Sequence, residues 1–164
     1  MVGLFWIGEE TAYVGTPPVE PAPGVALTAA GPRVEGLEPQ AWAWAEVLEV
    51  RVPDAPVRST AARWAIRAVT VAAAAVDAWT PDDPPEMTVV IATGDGELET
   101  PVYSGASVAY TQREVDLSLG LLARMTRGEF SPTVMTEWWR ANRPEKVLSS
   151  RDREGVLEGW LAEG

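Results

Sequence analysis

The sequence contains no histidine and no cysteine. Without imidazole, no side chain ordinarily titrates in the range where protons are shuttled near neutral pH. Without thiols there is no thiolate nucleophile, no disulfide framework and no soft metal ligand. Ser-His-Asp and Cys-His catalysis and structural zinc sites are therefore excluded. Lysine is nearly missing as well: Lys146 stands alone beside twelve arginines. No run of about 18 apolar residues occurs, so no membrane-spanning helix is expected. Residues 1–10 lack a basic stretch and meet Glu9 and Glu10 too early to read as a signal peptide. The missing cysteine fits a reducing compartment, and a cytoplasmic location is expected.

Acid and tryptophan are what the chain has in quantity. It carries a net charge of −11 over 164 residues, and eight tryptophans. An acidic surface repels phosphate backbones, so nucleic acid is not an expected partner. With 46% hydrophobic residues the chain can bury a sizeable core. The carboxylates cluster at Glu9-Glu10, at Asp82-Asp83, and at Asp95 with Glu97 and Glu99. Asp95-Gly96-Glu97 lacks the ligand count and length of a calcium loop. No spacing argues for the paired acids of a glycosidase. Glu97 and Glu99 share one strand face and read as a solvated edge that discourages sheet aggregation. No catalytic residue, metal or cofactor is expected, and the chain reads as non-enzymatic.

Alternation and breakers place seven strands, at 3–8, 11–15, 25–28, 32–36, 40–52, 87–93 and 97–104. The fifth is the longest: Trp42, Trp44, Leu48, Val50 and Val52 share one parity, interrupted by Glu46, which reads as a bulge. Gly94-Asp95-Gly96 reads as a hairpin turn. Trp6, Trp42 and Trp44 read as core. An uninterrupted helix is expected over 59–80. Thr111-Gln112-Arg113-Glu114 is a capping box that opens a helix running to about residue 127. Ser131-Pro132 starts another helix, and a last one begins near Ser149 or Ser150.

Seven strands and a closing helix, with a Trp-bearing fifth strand Trp42-Ala43-Trp44-Ala45-Glu46-Val47, resemble the bacterial pleckstrin-homology-like (PH-like) family. The resemblance implies an α+β fold: a seven-stranded bent barrel with a C-terminal capping helix over 1–128. A helix inserted between strands five and six (59–80) is expected to interrupt it, and a helical extension over 129–164, beyond the stretch that the resemblance covers, is expected to pack on it. It also implies a binding module. Phosphoinositide-binding members surround the loop between strands one and two with Lys and Arg. Here that loop is Gly8-Glu9-Glu10-Thr11, so no phosphoinositide is expected.

A protein or peptide partner, or self-association, is the expected mode of action. Two surfaces are candidates. On the inserted helix, Arg63 and Arg67 share a face with Trp64 beside them; a membrane role there is disfavoured because alanine anchors weakly. On the extension, Trp138 and Trp139 point about 100° apart, so both are hard to bury on one face. Packing within the molecule is the simpler account of both, and an anchor for a partner is the functional one. Two alternatives stay open: peripheral membrane association through the inserted helix, and a small-molecule site, which would need a cavity above roughly 300 Å³ lined by at least a pair of tryptophans.

Overall fold

The computed structural model describes residues 1–19, 22–36, 38–58, 85–105, 109–144 and 147–162. Eight strands form among these residues, divided between two antiparallel sheets. Strands β1 (Phe5–Ile7), β2 (Ala12–Val14), β3 (Gly24–Leu27), β4 (Pro32–Glu35) and β5 (Gln40–Ala41) make a meander in that order. Strands β6 (Val47–Arg51), β7 (Glu86–Thr93) and β8 (Gly96–Tyr103) make the second sheet. Helices α1 (Gln112–Thr126), α2 (Thr133–Asn142) and α3 (Ser150–Ala162) follow.

This corrects the expected seven-stranded barrel: among the described residues the two sheets do not pair into a closed barrel, and the expected fifth strand is two strands in different sheets. Its long apolar parity misleads because the chain turns inside it. Residues Trp44–Glu46 form a single 3-10 turn between β5 and β6. The Glu46 carboxylate accepts from the Ala43 N–H at 2.7 Å, so Glu46 caps a turn rather than marking a strand bulge. The Trp44 indole N–H donates to the Thr28 carbonyl at 2.9 Å, and the Trp44 N–H to the Ala30 carbonyl at 3.1 Å. The turn is thereby tied down onto the β3–β4 hairpin. Gly31 permits that approach: at φ +155°, a Cβ there would lie 1.8 Å from the Trp42 carbonyl oxygen.

A real bulge follows one step later, between Val47 and Glu49. It shifts the parity, burying Val47, Val50 and Val52 and leaving Leu48 70% exposed. Trp42 and Trp44 are half-buried against the core, while Trp6 is 42% exposed because the sides of β1 alternate and Trp6 takes the outer one. The expected helix at 59–80 lies outside the described residues.

The remaining elements form where local chemistry places them. Thr111 accepts from the Glu114 N–H at 3.0 Å, and Glu114 reaches back to the Thr111 N–H at 2.8 Å, so α1 opens with a full capping box. Gly128 follows α1 at φ +70°, where glycine is favoured. Ser149 and Asp152 cap α3 in the same reciprocal way. One apolar cluster draws on both sheets and all three helices, with Phe5, Leu27, Met87, Ile91, Leu121, Met135, Leu157 and Trp160 in it. Helices α2 and α3 of the expected extension thus share the core of the strands.

Candidate binding groove

Between the sheets, where the barrel would have closed, lies an open groove in two compartments of about 230 and 330 Å³. One is lined by residues 98–101 of β8 with Val34, Glu35, Gly36 and Glu38. The other holds Trp42, Ile91, Thr93, Asp95 and Glu97, and Gln40 and Leu98 belong to both. The apolar floor comes from Val34, Ile91, Leu98 and Trp42. The rim is acidic, and no described lining residue is basic. Two rim acids are matched from outside: Glu35 by Arg33, and Glu97 by Arg51 at 2.6 Å. Glu38, Asp95 and Glu99 have no ion-pair partner among the described residues.

The backbone of β8 is the second feature. Thr93 and Gly96 are Cα partners across a two-residue turn, so they exchange both ladder bonds. Alternation then makes Leu98, Thr100 and Val102 the bonded positions and turns the N–H and C=O groups of Glu97, Glu99, Pro101 and Tyr103 away from β7. Two observations fit this phase. Pro101, which has no N–H, sits at an outward position, where β7 loses no bond. The Tyr103 carbonyl accepts from the Thr16 N–H at 2.9 Å, an outward bond. Among the described residues no strand pairs this outer edge of β8. Thr16 closes one end of it, and the edge runs open from there along the groove.

At the rim, the Tyr13 hydroxyl donates to Glu35 at 3.3 Å. Partial burial raises the Tyr13 phenol above its ordinary pKa, and the Glu35 charge and hydrogen bond add to that, while Arg33 opposes it.

The helical end is closed by contrast. Trp138 meets Trp160 edge-on, with ring centroids 5.7 Å apart, and Phe130 lies 6.3 Å from the same ring. Trp138 and Trp139 are both half-buried against the core. Arg140 donates to the Glu9 carbonyl at 2.9 Å and Arg143 pairs with the Glu9 carboxylate at 3.1 Å, pinning α2 to the β1–β2 loop. Fully buried Glu114 pairs with Arg153, which also donates to the Leu148 carbonyl at 2.6 Å. Arg63, Trp64 and Arg67 lie outside the described residues.

Of the groove residues, the sequence drew attention to Asp95, Glu97 and Glu99 as a carboxylate cluster and to Trp42 as core, and to none of them as a binding surface. The one legible signal of such a surface is Pro101 in a strand, which marks an unpaired edge. Among the described residues the larger compartment is lined by one tryptophan, Trp42. No group of three or more acids among the described residues is placed to hold a metal ion, and no described helix is long and apolar enough to cross a membrane. No protein-family model, no curated protein and no solved structure matches the chain.

Proposed function

We propose that this protein is a non-enzymatic binding module that takes a protein or peptide partner in the groove between its two sheets. The observation that carries the reading is the backbone edge of β8, unpaired by any strand among the described residues, running along a groove with an apolar floor. A chain segment can use all three resources at once: main-chain bonds, apolar contacts and rim charges. A compact small molecule is less well served, because the larger compartment sits near the lower bound of roughly 300 Å³ for ligand pockets and is open. The Trp138–Trp139 surface is a weaker site for a partner, since much of its aromatic area already packs on Trp160 and the core. A cytoplasmic setting accords with the cysteine-free sequence.

The test is selection of a random displayed-peptide library on the full chain, followed by binding to Gln40→Trp. Gln40 is exposed and lines both compartments, so this change fills the groove from its rim. Selected peptides are expected to lose Gln40→Trp. Failure to enrich any peptide, or equal binding to the variant, would overturn the reading.

A further inference from the structure

We infer that the groove's occupant is an extended, arginine- or lysine-bearing segment that adds to β8 as a fourth strand of the second sheet. The inference rests on the proposed binding role and says what chemistry the partner must have.

Backbone phase supplies the first part of the argument. The Glu97 and Glu99 N–H groups and the Glu97, Glu99 and Pro101 carbonyls all point outward. An added strand would satisfy them, whereas a helix has already spent its own backbone groups. Proline at position 101 and the Thr16 bond to Tyr103 stop pairing at that end. The usable stretch is therefore the hairpin half of β8, which is the half that lines both compartments.

Charge supplies the second part. Glu38, Asp95 and Glu99 ring this stretch without cationic partners among the described residues. A neighbouring strand places side chains directly across from those of β8, where opposite charges attract and like charges repel. A second copy of β8 would set Glu97 and Glu99 against acids, so the edge rejects self-pairing. A segment that alternates cationic with short β-branched residues matches both the acids and the apolar floor.

The experiment uses the full chain and three fluorescent probe peptides. One alternates arginine and threonine, one alternates glutamate and threonine, and one is the arginine peptide N-methylated at alternate backbone positions. Anisotropy at low and moderate salt is expected to show binding of the first alone, weakening as salt rises. Glu99→Pro removes one outward N–H without touching the β7 ladder, and Glu99→Gln removes only the charge. Glu99→Pro is expected to weaken the arginine peptide about tenfold, and Glu99→Gln about threefold. A melting curve for each variant verifies that it folds.

Equal binding by the N-methylated probe, or by Glu99→Pro and Glu99→Gln, would exclude strand addition. If the arginine peptide fails while displayed peptides of another charge bind and lose Gln40→Trp, the basic partner is wrong and the binding role stands. If no peptide of any charge engages the groove, both fall.

Discussion

At the helical end Glu114 is fully buried, and each of its carboxylate oxygens has a donor, Arg153 on one and the Thr111 N–H on the other. In the groove Glu38, Asp95 and Glu99 are exposed, and no described cation pairs with them. The two regions draw on one residue type for opposite ends. A buried carboxylate must have its partners in the fold, because leaving it unpaired costs several kcal/mol. An exposed one is kept solvated at little cost and stays available to another molecule. The backbone follows the same division: the α1 and α3 N-termini are capped by side chains of their own segments, while among the described residues no strand pairs the outer edge of β8.

Breaking the closed end should give the largest effect. Arg153→Met strands the Glu114 carboxylate in the core and is expected to cost about 3–5 kcal/mol in chemical denaturation. Adding Glu114→Leu removes the stranded charge, so most of the loss should return. The double variant should stay about 1 kcal/mol below wild type, because the reach of Glu114 to the Thr111 N–H is gone. Peptide binding in the groove should be unchanged wherever the variants are folded. A double variant as unstable as Arg153→Met would mean that the charge pair is not what holds α3 to α1.

Gly31→Ala attacks the junction that separates the regions. The new Cβ would meet the Trp42 backbone, and φ +155° strains any side chain. A loss of about 1–3 kcal/mol is expected. Because Gln40 and Trp42 line the groove, peptide affinity should fall too, which distinguishes this variant from Arg153→Met. Unchanged stability and affinity would mean that the hairpin does not support the turn. Leu48→Lys should do least of the stability variants. Read as one continuous strand, residues 40–52 would bury Leu48, and the change would be severe. At 70% exposure it should stay within about 0.5 kcal/mol of wild type.

Leu48 shows why part of the fold was legible and part was not. Local signals carried through: the Thr111–Glu114 box, Gly128 after α1, the β3–β4 hairpin and the turn at Gly94-Asp95 all form where residue chemistry places them. Each depends on neighbours within a few positions. What failed depends on tertiary contact. Nothing near Trp44 in sequence says that its indole will reach the Thr28 carbonyl and bend the chain out of one sheet into another. With that bend the barrel opens, and the opening makes the groove. The groove was therefore hidden for the same reason as the correct fold: its walls come from residues more than fifty positions apart, such as Val34 and Leu98. The acids of its rim were visible, as the Glu97–Glu99 edge, but not what they face.

The smallest expected effect joins the open region to a measurable proton. Tyr13 donates to Glu35 on the groove rim, and partial burial first, then the Glu35 charge, hold its phenol protonated above the ordinary value of 10.0. The folded protein thus binds this proton more tightly than the unfolded chain does. Its contribution to stability is complete below the unfolded pKa and is lost as pH rises through the raised folded value. Subtracting the phenolate absorbance of Tyr13→Phe from that of wild type isolates this group from Tyr103 and Tyr110. The difference curve should have its midpoint above the ordinary tyrosine range. Glu35→Gln should lower the midpoint without returning it fully, since burial remains. A cationic segment in the groove should lower it as well, because positive charge beside Glu35 stabilises the phenolate. A midpoint that the arginine peptide leaves in place, under conditions where the peptide is bound, would put the peptide away from the Glu35 rim and in the compartment of Trp42 and Asp95 alone.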